Sequence, residues 1–155
     1  MLVIEKDNNK FSFRASAIIF NKDKVLLHKR DGYKYWILPG GRVEMGECTK
    51  ESIKRELKEE LNITEDVYLN YIIESFKNID NKNYHELNFC YYLEIDPKKY
   101  NLDKEVITGL DDKKDKFKWI KITELDNYNL KSNTIKNILK THNNTKEVKH
   151  LIEKN

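Results

Sequence analysis

The apolar residues of this chain follow strand-like patterns at first and change to a clear helical period near residue 49. Ile53, Leu57 and Leu61 follow one another at four-residue steps between Thr49 and Asn62, which places them on one face of a helix. Thr49 can serve as the N-cap, and Asn62 suits the end because asparagine tolerates the left-handed conformation that often ends helices. The sequence therefore predicts a helix over 49–62 that packs one face on a core.

Strand patterns precede this helix. Residues 11–20 and 24–28 are rich in apolar and β-branched side chains and are separated by three polar residues, so they predict a hairpin. A short apolar stretch at 36–38 predicts a further strand. Pro39, Gly40 and Gly41 follow it and are expected to interrupt regular structure.

Strands and helices are also predicted after residue 62. Residues 67–76, 87–95 and 117–120 read as strands, whereas 130–139 and 147–152 read as amphipathic helices joined by the polar stretch 141–145. This order of elements predicts the α/β class, with a mixed β-sheet flanked by helices. The length of 155 residues suits one domain over 1–155, with the C-terminal segment 131–155 helical and packed on it or extending from it.

Charge and cysteine content exclude several classes of function. The 29 Lys and Arg residues against 26 Asp and Glu leave a net charge of +3, which is too small and too dispersed to indicate a nucleic-acid groove. It suits an anionic small substrate. Cys48 and Cys90 lack the spacing of zinc ligands or a redox motif, so reduced thiols and a cytoplasmic location are expected. No apolar run approaches the length of a membrane span.

Three carboxylates share one side of the predicted helix. At about 100° of rotation per residue, Glu56, Glu59 and Glu60 lie within an arc of about 100°. Like charges so close repel one another unless a cation neutralises them. Carboxylate oxygens favour Mg²⁺ or Mn²⁺, and Mg²⁺ commonly binds substrate phosphates as well. Because a solvated face of a charged helix has the same pattern, the helix alone does not decide between these interpretations.

The stretch that leads into the helix resembles the Nudix box. In that motif a glycine, a glutamate, an Arg-Glu pair, two further glutamates, a glycine and an apolar residue recur at fixed spacing. The resemblance extends from Leu38 to Ile63, and every charged position of the motif is filled at its expected distance. One position departs from it, since Asn62 stands where the family has its final glycine. Asparagine is the next most tolerant residue for positive φ, so the helix end is expected to survive this change.

The resemblance implies a Nudix-type α/β/α sandwich and a role for each residue of the motif. The implied metal ligands are Glu56, Glu59, Glu60 and the backbone carbonyl of Gly40. The resemblance makes Arg55 an orienting residue for a neighbouring carboxylate. It also places Glu47 near the metal ions, where Glu47 is expected to assist either binding or proton removal. Glu56 is the first choice of general base and Glu59 the second, with Glu86 or the loop at Asp111 and Asp112 left open.

Residues outside the motif are candidates for substrate binding. Arg14, Arg30 and Arg42 can meet phosphates, and Arg14 interrupts an otherwise apolar strand. Tyr33, Tyr35 and Trp36 can stack on a nucleobase, although packing at the rim of the core is the stronger expectation for Trp36. For Glu86, a place near the substrate and a plain charge at a strand end are equally expected.

By this resemblance the chain is a Mg²⁺-dependent pyrophosphohydrolase. The expected reaction is attack by metal-activated water on a diphosphate in a nucleoside diphosphate linked to another moiety. Two alternatives stay open: a catalytically silent module that binds a nucleotide as a sensor, and an RNA 5′-end pyrophosphohydrolase, which the small net charge disfavours. Relatives often form homodimers, but no stripe of residues in this sequence marks an interface.

Overall fold

Long strands with alternating side chains dominate the fold in a computed structural model of the chain, which describes residues 1–143 and 145–154. The strands within these ranges are β1 (Val3–Lys6), β2 (Asn9–Asn21), β3 (Lys24–Lys29), β4 (Gly40–Arg42), β5 (Tyr68–Ile79), β6 (Lys82–Glu94), β7 (Val106–Thr108), β8 (Lys116–Lys121) and β9 (Lys149–Lys154). The α-helices are α1 (Thr49–Leu61) and α2 (Asn133–Thr141), and short 3₁₀ turns lie at Pro97–Tyr100 and Ile122–Asn127.

These strands form one mixed sheet in the described part of the chain. Its main order is β7-β8-β3-β2-β6-β5-β9, and β1 and β4 also pair with β2. The hairpins β2–β3 and β5–β6 are antiparallel, whereas β2–β6 and β5–β9 are parallel. The predicted class, a mixed sheet with flanking helices, and the predicted first hairpin are therefore confirmed.

Each face of the sheet carries its own apolar core. Ala15, Ala17 and Ile19 of β2 belong to the same core as Ile53 and its neighbours on α1, with Leu57 and Leu61 almost fully buried. Ile18 and Phe20, the alternate residues of β2, lie in the second core with residues of α2. Burying each of the leucine and isoleucine side chains among them stabilises the fold by about 1.5 to 3 kcal/mol. Helix α1 is thereby fixed against the sheet on one face, and α2 lies on the other.

The ends of α1 are set by local hydrogen bonds. Cys48 is the N-cap residue, and its N–H donates to the Glu51 carboxylate at 3.1 Å; Thr49 is the first helical residue instead of the expected cap. At the other end Asn62 is left-handed, with φ 55°, and its N–H donates to the Lys58 carbonyl at 3.0 Å. The expectation that asparagine replaces glycine at this helix end is confirmed.

Two expectations near residue 40 are wrong. Instead of a strand over 36–38, the structure has two isolated bridges, His28 with Ile37 and Trp36 with Leu130. Gly40–Arg42, expected to interrupt regular structure, is strand β4 and pairs antiparallel with β2. The pairing is possible because a Cβ on Gly40 would lie 2.3 Å from the Ala15 carbonyl oxygen, so only glycine lets the two backbones approach this closely.

The predicted strands at 67–76 and 87–95 exist but are longer than expected. Strands β5 and β6 continue through the polar stretch 77–84 to a tight turn at Asp80 and Asn81, where both residues have positive φ. Polar side chains suit this end of the hairpin because much of it is exposed.

The C-terminal segment is partly helical. The predicted helix at 130–139 is confirmed as α2, whose N-cap Ser132 accepts a hydrogen bond from the Ile135 N–H at 3.1 Å. The predicted helix at 147–152 is wrong, because residues 149–154 form strand β9 parallel to β5. Pairing with the free edge of β5 satisfies the backbone groups of this segment. Asn144, within the expected linker 141–145, and Asn155, the last residue of the expected domain, lie outside the described residues.

Among the helices that the structure describes, none combines the length and the apolar character needed to cross a membrane.

Candidate active site

The bend at Gly40 and Gly41 lies directly against the carboxylate of Glu56. A Cβ on Gly41 would lie 2.3 Å from Oε1 of Glu56 and 2.4 Å from its Cδ. The Glu56 side chain, only 15% exposed, therefore occupies the space that any larger residue at position 41 would fill. The two halves of the motif, bend and helix, are brought together as the sequence predicts.

Arg55 links three of the motif carboxylates. Its Nε and Nη2 donate to the two oxygens of Glu47 at 2.8 and 3.1 Å, which is a bidentate contact. Its Nη1 donates to Glu56 Oε1 at 2.9 Å and, less closely, to Glu59 Oε2 at 3.4 Å. Arg55 thus has the orienting geometry that the resemblance implies, and it connects the loop carboxylate to the helix carboxylates.

This contact fixes the charge of Glu47. Hydrogen bonds from the Arg55 guanidinium lower the pKa of Glu47 to about 2, from an ordinary value of 4.5. The same contact with Glu47 raises the pKa of Arg55. Both groups are therefore ionised at neutral pH, and both oxygens of Glu47 are engaged by the guanidinium. Glu47 is consequently better placed to hold Arg55 than to remove a proton.

The three helix carboxylates differ in exposure more than the helical wheel suggests. Glu59 is 51% exposed, Glu56 faces the glycine bend, and Glu60 is 4% exposed. Glu60 therefore points into the protein instead of standing beside the other two in an open cleft. The reason is the packing of α1, because the side of the helix that carries Glu60 faces β3 and the loop before β8.

His28 and Asp115 are the neighbours of Glu60, and sequence reasoning did not single out either of them. One ring nitrogen of His28 and one carboxylate oxygen each of Glu60 and Asp115 lie within 4.8 Å of one another. His28 Nε2 lies 3.1 Å from Asp115 Oδ2. Burial and the nearby charges of Glu56 and Asp111 raise the pKa of Glu60 to about 8, and burial lowers the pKa of His28 to about 4. The one available signal was a histidine inside an apolar strand.

Two of the predicted phosphate-binding arginines lie at the bend. Nη2 of Arg14 donates to the Leu38 carbonyl at 3.0 Å, and Nη2 of Arg30 lies 3.5 Å from the Gly40 carbonyl oxygen. Burial lowers the pKa of Arg14, whereas Glu86 opposes this effect. Glu86 itself accepts a hydrogen bond from Ser12 at 3.1 Å. Arg14, Arg30 and Glu86 are therefore grouped on the strand side of the bend.

The other two predicted substrate residues lie elsewhere. Arg42 is on β4, and its Nη1 contacts the Met1 sulfur at 3.4 Å. Trp36 packs partly buried against the second core, edge to face with Tyr128 at 6.0 Å between ring centroids. This position agrees with the expectation that Trp36 packs at the rim of the core.

Tyr35, one of the candidate stacking residues, lies beside Lys131, which the sequence did not place near the site. The Lys131 ammonium lies 5.4 Å from the centre of the Tyr35 ring. Arg14, Arg30 and Glu86 are close enough to act electrostatically on Lys131. A cation and an aromatic ring thus join the group on the strand side of the bend. Lys131 lies 45 residues beyond Glu86 in the sequence, so no local pattern connects it to this group.

The residues present fit a divalent cation. Three glutamates offer oxygen ligands beside a glycine bend, and Glu60 Oε2 is buried without a hydrogen-bond partner within the described residues. A buried carboxylate oxygen without a partner is costly and favours a bound cation. The residues that would hold the ion are Glu56, Glu59, Glu60 and the Gly40 carbonyl, with Arg55 orienting two of them.

Comparisons with known proteins place the chain in a family. The model of the NUDIX domain matches residues 10–141. An uncharacterised Nudix hydrolase of Bacillus subtilis, YvcI, is 38% identical over 48 residues, which span 31% of this chain and 30% of that relative.

Solved structures share the fold. A MutT protein of Bacillus halodurans superposes with a TM-score of 0.61 at 22% identity, over 90% of this chain and 86% of its own. The Ap4A hydrolase of C. elegans superposes with a TM-score of 0.57 at 19% identity, over 83% and 93%. At these identities the two structures support the fold alone.

The chain belongs to the Nudix family, because the family model matches most of its length. The resemblance of residues 38–63 to the Nudix box predicted this family, and the prediction is confirmed.

Proposed function

We propose that this protein hydrolyses a phosphoanhydride bond in a nucleoside diphosphate linked to another moiety, with Mg²⁺ as its cation and Mn²⁺ as a substitute. The observation that carries this proposal is the contact between the Gly41 bend and Glu56, with Arg55 joining Glu47, Glu56 and Glu59 beside it. A set of carboxylates held in this way suits a cation that also binds phosphate. When bound, such an ion polarises phosphate oxygens and lowers the pKa of water.

The side chains of the site have separate tasks in this proposal. Glu56 is held in place by Arg55 and by the bend, so it offers a fixed ligand and is our first choice of general base. Glu59, half exposed and only weakly contacted by Arg55, is the second choice. Arg14 and Arg30 would bind phosphate oxygens by charge-assisted hydrogen bonds from their positions at the bend. Positioning and charge neutralisation supply most of the acceleration in phosphoryl transfer.

A nucleotide is the substrate class that we favour. Tyr35 offers a ring for stacking, and Lys131, Arg14 and Arg30 offer positive charge on the same side of the bend. The Ap4A hydrolase that shares the fold is named for a substrate of this class. An RNA strand would need a longer basic path than the net charge of +3 provides. A silent nucleotide sensor is disfavoured because all the charged residues of the motif are present.

A reduced compartment such as the cytoplasm fits the two thiols. Cys48 is exposed and Cys90 is buried, and both are free. We therefore keep the cytoplasm as the proposed location.

The test is a panel assay with a matched pair of variants. Purified protein is incubated with nucleotide sugars, ADP-ribose, dinucleoside polyphosphates and nucleoside triphosphates, with Mg²⁺ and then with a chelator, while released phosphate and nucleotide are measured. We expect chelator-sensitive turnover of at least one compound. Glu59→Gln should lose at least about 100-fold in kcat with an unchanged melting temperature, since it removes a ligand charge from an exposed position.

Glu51→Gln is the control, because it removes a carboxylate from the same helix while glutamine can still accept the Cys48 N–H. Wild-type turnover in Glu59→Gln would reject the ligand assignment. A wild-type protein that binds a nucleotide of the panel but turns over none would favour the sensor alternative.

A further inference from the structure

We infer that His28, Glu60 and Asp115 form a cation site with one imidazole nitrogen ligand, so that this protein binds a divalent transition metal such as Mn²⁺ there in preference to Mg²⁺. Glu60 is shared with the carboxylate set of the proposed function, and to that extent the inference builds on it. His28 and Asp115 lie outside the Nudix motif. They come from different parts of the fold, β3 and the loop before β8, and meet Glu60 of α1.

The distances suit a shared ion. One possible ligand atom from each residue lies within 4.8 Å of the other two, and His28 Nε2 lies 3.1 Å from Asp115 Oδ2. Two ligands about 2.1 Å from one ion are about 3.0 to 3.4 Å apart at octahedral or tetrahedral angles. The His28–Asp115 separation falls in this range. Glu60 supplies the third possible ligand atom, within 4.8 Å of the other two.

Burial distinguishes this cluster from an ordinary acidic surface. His28 is 0% exposed and Glu60 is 4% exposed. His28 Nδ1 and Glu60 Oε2 are both buried and have no hydrogen-bond partner in residues 1–143 and 145–154. Two polar atoms without partners in one cluster cost free energy in the absence of a ligand. A bound cation neutralises Glu60 and supplies a partner for its Oε2.

The surrounding charge favours a cation despite two nearby arginines. Glu56 and Asp111 act on Glu60 more strongly than Arg14 and Arg30 do. Asp115 adds a further negative charge at the cluster. The carboxylates around Glu60 therefore favour a cation at this cluster.

The ring of His28 is also rigidly placed. It stacks on Phe117 with 4.2 Å between ring centroids and 11° between planes. Asp115 Oδ1 accepts the Asp31 N–H at 3.2 Å, and the Leu110 N–H donates to the Glu60 carbonyl at 2.9 Å. These contacts hold the Asp115 carboxylate and the Glu60 backbone beside a fixed imidazole. Nitrogen ligands raise affinity for transition metals along the series from Mn²⁺ to Zn²⁺, whereas Mg²⁺ keeps to oxygen and water.

The experiment detects the nitrogen directly. Metal-free full-length protein is titrated with Mn²⁺, and pulsed electron paramagnetic resonance records the coupling of the bound ion to nitrogen. We expect a ¹⁴N coupling that changes to a ¹⁵N coupling when the wild-type protein carries ¹⁵N-labelled histidine, a comparison that needs no substitution. His28→Phe, which keeps the stack on Phe117, should abolish the coupling and weaken Mn²⁺ binding at least about tenfold.

His150→Phe is the matched control, because His150 is exposed and pairs with Glu74 on another part of the sheet; it should keep the coupling. Asp115→Asn, which preserves the shape of the side chain, should weaken Mn²⁺ binding more than Mg²⁺ binding.

Bound Mn²⁺ without nitrogen coupling in the wild type would overturn the inference and leave the hydrolase proposal intact. The hydrogen bond between His28 and Asp115 would then only anchor the loop before β8. A nitrogen coupling in a protein that hydrolyses no compound of the panel would support the inference and refute the hydrolase instead.

Discussion

Gly41→Ala should disable the site while leaving the fold intact. The added Cβ would lie 2.3 Å from Oε1 of Glu56 and 2.4 Å from its Cδ. Because non-bonded carbon atoms settle at about 3.5 to 4.0 Å, the Glu56 carboxylate must retreat by about 1 Å. The atoms in the way are the far end of a side chain, so the backbone of the bend need not move.

The expected magnitude follows from that displacement. Misplacing a group by about 1 Å in the reacting geometry costs about 100-fold in rate. This corresponds to about 2.7 kcal/mol of transition-state stabilisation. Unfolding free energy should change by less than about 1 kcal/mol, which is a shift of less than about 4 °C in melting temperature for a chain of this size.

Gly40→Ala supplies the contrast. Gly40 has φ +143°, and its added Cβ would lie 2.3 Å from the Ala15 carbonyl oxygen and 2.7 Å from the Ser16 Cα. These are backbone atoms of β2, so strain and crowding should cost about 3 kcal/mol or more of unfolding free energy. The assay is kcat/KM on the best compound of the panel, together with thermal melts, for both variants and the wild type.

A Gly41→Ala protein with wild-type kcat/KM would refute the reasoning, as would one that loses as much stability as Gly40→Ala. The double variant Gly41→Ala, Glu56→Asp gives a second check. The shorter aspartate side chain avoids the added Cβ. The loss of kcat/KM in the double variant should therefore be smaller than the product of the losses in the two single variants.

Three further predictions concern charge and stability. Because burial raises the pKa of Glu60 to about 8 from 4.5, metal-free protein should lose unfolding free energy as the pH rises from about 4.5 to 8, and Glu60→Gln should flatten that slope in thermal melts. Arg55 lowers the pKa of Glu47 to about 2, so Glu47 contributes stability above pH 4.5 that is lost as the pH falls through about 2. In the Arg55→Met variant, a nuclear magnetic resonance titration should find the pKa of Glu47 returned toward 4.5. Glu153→Ala should cost about 2 kcal/mol of unfolding free energy in thermal melts, since the buried carboxylate accepts from Ser132 Oγ at 2.5 Å.

The sequence predicted what depends on local periodicity and missed what depends on distant pairing. The core face of α1 and the left-handed Asn62 follow from patterns a few residues long, and both are confirmed. Strand β9 was taken for a helix because its short run has no strand pattern of its own. Its conformation comes from pairing with β5, more than 70 residues away.

The candidate site divides in the same way. The bend, Arg55 and the glutamates lie within one motif of about 25 residues, so a resemblance could identify them together. The burial of Glu60 could not be predicted from the angles of side chains around the helix axis, because these angles do not show which parts of the fold pack against each side of α1. His28 and Asp115 lie 32 residues before and 55 residues after Glu60, and only the folded chain brings them into contact with it.

The most direct test of the central claim is anomalous diffraction from crystals soaked in Mn²⁺. We expect an ion within about 2.0 to 2.6 Å of the Gly40 carbonyl and of oxygens from at least two of Glu56, Glu59 and Glu60. An ordered ion elsewhere, with these carboxylates directed into solvent, would contradict the assignment of the site.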